Sequence, residues 1–426
     1  MAERKKNTTK NSDKTQTKVN KAVKKQVKKA AKKPYFKYVI LTVVIILITL
    51  VLLYVFVPTI KAFVNKIIFG EDPIAGSSNK IVRYDDDVTL TELTDLKIHM
   101  VDVGQGDSII LELPDGLNVI IDAGTSGSYS KLKTYIESLN IKTFHYLIAT
   151  HSDSDHIGGM EKLFNDYEIV NVLRPMQNYS GADFTFTQEF NPVVKKSGTQ
   201  SSKTYGKFLN CIQNEQYTDG DGNRHYANWE FFNKDSDITR NLSYNGITYT
   251  YSFDFLTPIA RVGEITSSDN NDFSPYVKFT YSVSGAKDDE SRFDMLFTGD
   301  GEKEVITEFL DTYTDADFLN VDILKEGHHG SANAVSKGLI EKTKPEYSLI
   351  SCGKGNTYKH PHQVVLNLLA SYDCTFFRTD LNGSIVVSVS GNGSYDILPA
   401  IPSSNYSTEE FFTGGSSNQQ IFDMAA

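Results

Sequence analysis

The chain has 426 residues, of which 40% are hydrophobic, 12% aromatic and 23% charged, a composition that excludes a wholly disordered protein and accommodates one large domain with appendages or two domains. Its net charge of -10 hides an asymmetry: residues 1–37 hold 14 Lys and Arg against Glu3 and Asp13, leaving 29 basic and 51 acidic residues for the remainder. Three cysteines, Cys211, Cys352 and Cys374, with no CxxC spacing, exclude a disulfide framework and leave at most a Cys352 to Cys374 bridge.

Residues 1–37 form a Lys-rich segment with almost nothing to bury, read as a disordered tail lying against an anionic inner leaflet. Tyr38 to Val57, YVILTVVIILITLVLLYVFV, is 20 residues without a charge, enough at about 1.5 Å rise per residue to cross a hydrocarbon core of about 30 Å. KKQVKKAAKK just before it places the N-terminus in the cytoplasm and the bulk of the chain outside. The expected organisation is a tail (1–37), a single transmembrane helix (38–58), a stalk containing GEDPIAGSSNK (59–95), a working domain (96–398) and a polar tail (399–426).

The working domain opens with LKIHMVDVGQGDSIILELPDGLNVIIDAG, short apolar clusters separated by turn signals, which predicts consecutive strands. KLKTYIESL reads as a helix, FHYLIAT as a strand, and THSDSDHIGG follows directly, with GGMEKLF starting another helix. Four metal-type ligands, His151, Asp153, Asp155 and His156, thus crowd one loop at a strand end, where rigid scaffolds commonly carry chemistry. Residues 176–245 then read as a polar, aromatic insertion. Within it Asp219, Asp221, Asn223 and Glu230 echo a calcium loop, although Arg224 stands at the turn position that needs glycine. Beyond the insertion, DMLFTGD ends in Asp300 and precedes the helical EKEVITEFL; VDILKEGHHGS ends in His328 and His329; YSLISCGKGNTYKHPH ends in His360 and His362. Six of the nine histidines lie in these loops, with only His99, His145 and His225 elsewhere. Scattered core histidines would not gather at strand ends in this way.

DVGQGDS, VIIDAG, THSDSDHIGG, LFTGD, EGHHGS and KHPH, in that order, resemble the metallo-β-lactamase fold, specifically its ComEC-type branch attached to DNA-uptake channel proteins, with similarity to choline-phosphate esterase-like members. The resemblance implies an α/β fold, a four-layer αββα sandwich with a dinuclear site at one edge. It assigns His151 and Asp153 to one metal, Asp155, His156 and His329 to the other, and Asp300 as the bridge, with Asp122 orienting these ligands from behind. Asp155, His328 and His360 become the catalytic candidates; His328 is either an alternative ligand to His329 or a donor facing substrate, and His362 is only a neighbour. Lys359 stands where the motif more often has glycine. The further histidine that better-known members supply to the first metal has no counterpart except His225, so the first metal is expected to have His151, Asp153 and Asp300 completed by water. Two divalent ions are implied, zinc first because of the histidines, with manganese the alternative for a carboxylate-rich shell.

These readings predict a membrane-anchored extracytoplasmic phosphodiesterase acting on a small or cell-envelope phosphodiester. A surface nuclease is the alternative that the resemblance raises, set against a strongly acidic external segment poorly endowed for phosphate neutralisation. A non-catalytic anchored binding module is the third reading, disfavoured because every principal ligand position is filled. The sequence leaves the oligomeric state open.

Overall fold

The computed structural model describes residues 87–192, 198–259, 269–284 and 292–415, together with Ile81 and Tyr84. The expected basic tail and transmembrane helix lie outside the described residues. Among the described residues no helix is long and apolar enough to cross a membrane.

Two eight-stranded mixed sheets form the centre. In the first, the strands run in the spatial order Asn228–Phe231, Glu168–Arg174, Thr143–Ile148, Asn118–Ile121, Ile109–Glu112, Leu96–Met100, Ile385–Val389, Tyr395–Pro399. In the second, the order is Asp87–Thr89, Ile238–Tyr244, Ile247–Phe255, Val277–Ser284, Arg292–Phe297, Ile323–Lys325, Tyr347–Ile350, Thr375–Arg378. Side-chain alternation explains why several of these strands read as unbroken apolar runs. Val119 and Ile121 face the core between the sheets while Ile120 faces outward under the helices Tyr129–Ser138 and Met160–Asp166. Met295 and Phe297 likewise point between the sheets, and Leu296 points to the layer of Lys303–Thr312, Lys337–Thr343 and Gln363–Ser371. Strands covered on both faces need no polar side, and each fully buried aliphatic or aromatic side chain contributes about 1.5–3 kcal/mol. The expected αββα layering follows from these three separate apolar clusters.

Three expected boundaries shift. The stalk does not run to residue 95, because Asp87–Thr89 pairs in parallel with Asn241–Ser243 at the edge of the second sheet and Ile81 is buried in the central core. A three-residue edge strand has too few positions to show a periodicity. The segment after residue 398 is not a free tail: Arg378 Nη1 donates to Phe411 O and Thr413 O, Phe411 is buried, and Gln363 N donates to Gly415 O. The insertion is shorter than 176–245, since Asn228–Phe231 and Ile238–Tyr244 are strands of the two main sheets. What remains outside the sheets includes the helix Lys203–Asn214, capped by Ser202, whose hydroxyl accepts from Tyr205 N. It also includes the ribbon of Gln216–Thr218 with Arg224–Tyr226. Arg174 pins this region to the core, its buried guanidinium lying 4.3–4.8 Å from the rings of Phe190, Trp229 and Phe231 and donating to Phe190 O. Cys352 and Cys374 are buried free thiols, so the one bridge left open by the sequence does not form.

Candidate metal centre

Loops from the C-terminal ends of strands in both sheets meet at one edge. Asp122 follows Asn118–Ile121, the 150–156 loop follows Thr143–Ile148, Asp300 follows Arg292–Phe297, and His328 with His329 follow Ile323–Lys325. A single helical turn, Ser154–Ile157, begins after Asp153, whose carbonyl accepts from the N–H groups of His156 and Ile157. That turn makes six residues a cluster of ligands. The glycines after it serve backbone contact: a Cβ on Gly159 would stand 2.2 Å from Ala123 O, and one on Gly106 2.2 Å from Asp155 O. The DAG loop, the DVGQGD loop and the histidine loop therefore pack against one another only with glycine at those two positions.

His156 and His329 form one half. His156 Nε2 lies 3.1 Å from Asp300 Oδ2, His329 Nε2 lies 3.3 Å from Asp300 Oδ2, and His329 Nε2 lies 3.3 Å from Asp155 Oδ2. For ligands at about 2.0–2.1 Å from a tetrahedral ion, neighbouring donor atoms stand about 3.3 Å apart. The donor spacing therefore fits a divalent ion. Behind them, Asp122 Oδ2 sits 2.7 Å from His156 Nδ1, and Asp107 Oδ1 sits 3.2 Å from His329 Nδ1. His329 Nδ1 also faces Ser351 O at 2.9 Å. Asp122 accepts further from Thr150 N and Thr150 Oγ1 at 2.9 and 2.6 Å. Asp107 is paired with the buried ammonium of Lys325 at 2.6 Å. Asp107, His156, Asp300 and His329 have ligand atoms within 4.8 Å of one another, but Asp107 stands on the Nδ1 edge of His329 with Lys325 and so backs the ligand. Such carboxylates fix the imidazole tautomer and raise its basicity.

His151 and Asp153 form the other half. His151 Nε2 is 3.8 Å from Asp153 Oδ2, while its Nδ1 lies 3.0 Å from Thr150 Oγ1 and 3.2 Å from Ser274 Oγ. Asp153 Oδ1 accepts from Asn270 Nδ2 at 2.7 Å, and Ser274 Oγ accepts from Asp300 N at 3.1 Å. The polar run DNNDFS, residues 269–274, thus occupies the place for which His225 was the sole histidine candidate. His225 lies elsewhere, 2.7 Å from Asp219 and stacked on Tyr217 in the two-stranded ribbon. Asp219 there accepts from the N–H groups of Asp221 and Asn223 and closes a hairpin turn, so the resemblance to a calcium loop is not realised.

The Nε2 atoms of His151, His156 and His329 and Asp300 Oδ1 are buried without a hydrogen-bond partner. Desolvated polar atoms left this way cost about 1–3 kcal/mol each unless something else binds them. The electrostatics point the same way. Burial resists protonation of His156, yet Asp300 and Asp122 raise its pKa well above the usual histidine value; Asp300 and Asp107 do the same for His329. Burial acts against Asp300 as well, but His156 and His329 hold its carboxyl well below the usual range. Burial also opposes ionisation of Asp155, which the adjacent His329 and the His156 charge overcome. His151 is pushed down to about 4 by burial and by His156, and burial raises Asp153. Carboxylates that hold two imidazoles in their protonated form are a site that demands positive charge.

His328 stands beside this set rather than in it. Its Nδ1 is 2.8 Å from Glu302 Oε1 and 3.3 Å from Asn271 Nδ2, and its Nε2 is 3.8 Å from Asp300 Oδ2. His328 and His329 both adopt left-handed backbone, with φ of 45° and 58°, a conformation rare for residues with a side chain and typical of functional strain. The result sends the His329 ring to the ligand set and leaves 24% of the His328 side chain exposed. His360 lies 5.3 Å ring to ring from His328, with Gln105 Nε2 3.5 Å from its Nδ1, and burial followed by the charges of His328 and His329 lowers its pKa to about 3. His362 is structural, because its Nδ1 accepts from Ala332 N at 3.0 Å. Lys359 has φ of 65°, the conformation that favours glycine at this motif position. Asp107, Lys325, Asn270, Ser274 and Glu302 are the site residues that sequence reasoning missed. Asp107 alone had a signal, standing inside DVGQGD.

Residues 101–212 match the family model described as Metallo-beta-lactamase superfamily. Among curated proteins, the chain is 26% identical over 327 residues to ComE operon protein 3 of Bacillus subtilis (strain 168), covering 72% of this chain and 35% of that protein. It is 24% identical over 297 residues to Recombination protein 2 of Haemophilus influenzae, covering 68% of this chain and 29% of that protein. The chain spans about a third of the length of these curated relatives. Among solved structures it is similar to a diphosphatase from the PhnP family, at 11% identity, covering 66% of this chain and 94% of that one with a TM-score of 0.31.

Proposed function

We propose that the metallo-β-lactamase domain of this chain is a two-metal phosphodiesterase, held outside the membrane by the uncharged run at residues 38–57. The observation that carries the reading is the convergence of His156 Nε2 and His329 Nε2 on Asp300 Oδ2, at 3.1 and 3.3 Å, beside a His151 Nε2 that is likewise buried without a hydrogen-bond partner. His151, Asp153 and Asp300 would hold one ion, and Asp155, His156, His329 and Asp300 the other. Bound there, two divalent ions would supply a water activated at neutral pH and positive charge for the oxyanion that develops on phosphorus. Asp153 in place of a histidine makes the first position oxygen-rich, which suits harder ions and phosphoryl oxygens better than an all-nitrogen shell. Zinc is the first choice for the pair and manganese the second.

The chain's own groups complete the chemistry. Glu302 orients His328 so that its Nε2 edge is directed towards Asp300, where the imidazole can donate to a phosphoryl oxygen or to the leaving oxygen. His360, kept neutral by burial and by the charges of its neighbours, can donate a hydrogen bond without adding charge. Lys325 neutralises Asp107 and keeps that carboxylate ionised against His329 in a dry setting. The test is metal analysis of the purified domain together with turnover of bis(p-nitrophenyl) phosphate. Bound zinc or manganese with turnover that a chelator removes is the expected result. No bound metal and no turnover with either ion would refute it.

A further inference from the structure

The insertion reaches the metal centre through two side chains for which the chemistry above has no task. Asn178–Tyr179 pairs in parallel with Thr199–Gln200, and Ser180 N donates to Gln200 O at 2.7 Å. Asn191 Oδ1 accepts from Tyr179 N at 2.6 Å, and Asn191 Nδ2 donates to Tyr179 O at 2.8 Å. From the helix Lys203–Asn214, the Tyr205 hydroxyl donates to Gln177 O at 2.7 Å. The backbone that carries Gln177 and Gln200 is thus tied from several sides. Both glutamine amides then serve one atom. Gln177 Nε2 donates to Asn270 Oδ1 at 3.3 Å, and Gln200 Nε2 donates to the same oxygen. Asn270 Nδ2 donates in turn to Asp153 Oδ1 at 2.7 Å.

A side-chain amide has an accepting end and a donating end, so whatever meets its oxygen decides which end faces the other way. With two glutamine donors on Oδ1, Asn270 presents its NH2 group to Asp153. Turned over, it would set its oxygen against the Asp153 carboxylate and its NH2 group against two others. Gln177 would lose most by that change. It is fully buried and its Oε1 has no hydrogen-bond partner, so the bond to Asn270 is the one its side chain makes. A buried donor deprived of its acceptor costs its full desolvation, which holds the asparagine in one orientation. Asp153 depends on that hold: 40% of its side chain is exposed, and its Oδ2 stands 3.8 Å from His151 Nε2. A carboxylate so open to water would otherwise sample several staggered positions.

We propose that Gln177 and Gln200 are positioning residues for Asp153, acting through Asn270, so that the insertion completes the first of the two ion positions. The inference rests on the two-metal reading above and gives the insertion a part in it. The test is titration of the metal-free protein with cobalt(II), followed by visible absorption, which reads the ligands around each ion as it binds. In Gln200→Leu the weaker binding step is expected to lose about tenfold in affinity while the stronger step keeps its wild-type value. Gln177→Leu, which leaves no amide to bury, should do the same. Gln200→Glu gives the sharper contrast. Its added negative charge would by attraction alone tighten a nearby cation, but a carboxylate in that place draws Asn270 Nδ2 away from Asp153, and the weaker step should fall further than in Gln200→Leu. On an Asn270→Ala background the glutamine substitutions should add nothing, because the link through which they act is already gone. An unchanged weaker step in both Gln200 variants, equal loss at both steps, tighter binding in Gln200→Glu, or an effect that survives in Asn270→Ala would overturn the inference and leave the two-metal reading standing. Binding of no ion by the wild-type protein would remove that reading, and the inference with it.

Discussion

The two proposed halves of the candidate metal centre, which would share Asp300, are supported differently. His156 and His329 are each backed by a buried carboxylate, Asp122 at 2.7 Å and Asp107 at 3.2 Å. His151 has only the hydroxyls of Thr150 and Ser274 behind it, and Asp153, whose side chain is 40% exposed, is steadied by the neutral amide of Asn270. A carboxylate behind an imidazole strengthens it as a ligand, and a hydroxyl does so less. On the proposed two-metal reading, the second half would therefore be the tighter ion site and the first the more exchangeable one.

Removing the shared ligand should have the largest effect: Asp300→Ala is expected to lose both ions and all turnover, seen by elemental analysis and a diesterase assay. Normal turnover in that variant would discard the bridging assignment. Asp107→Asn comes next, because it leaves the buried Lys325 ammonium unpaired and should cost about 3–5 kcal/mol in urea unfolding as well as weakening the second ion. Asp122→Asn, which removes charge and keeps shape, should weaken that ion about tenfold to a hundredfold in metal titration. Asn270→Ala should instead weaken the first ion and spare the second, and equal loss at both would undo the distinction between the halves. The two halves also differ in protons. His156 and His329 are raised well above the usual histidine value by their carboxylates, whereas His151 is held at about 4. Filling the second half at neutral pH must therefore displace protons and filling the first need not, so affinity for the tight ion should fall more steeply as pH is lowered. Calorimetry in buffers of different ionisation enthalpy measures this. The smallest effect belongs to Asp219→Ala in the distant ribbon, expected to leave the urea midpoint and the metal content as in wild type.

The candidate ligands were legible because they cluster in sequence. THSDSDHIGG, LFTGD and EGHHG each end an apolar strand run, and a strand end followed by a short polar loop is a local feature. The backing residues were not, since Asn270 meets Asp153 and Ser274 meets His151 across more than a hundred residues, with only ordinary loop composition to mark them. Asp107 stood in the DVGQGD motif without a role because its partners, Lys325 and His329, arrive from the other sheet. The choice between His328 and His329 turned on two consecutive left-handed residues, which no spacing rule encodes. Layering was what the resemblance implied, and the apolar runs and helix periodicity agree with it. The domain edges were not, because Asp87–Thr89 and the 399–415 segment are fixed by pairing and packing with distant residues.

Titration of the metal-free domain with zinc or manganese, following bound ion and diester turnover together, tests the central claim most directly. Two ions per chain, bound in separable steps with turnover rising on the second, are the predicted result. A domain that binds no ion, or whose turnover is indifferent to metal and chelator, would contradict the account.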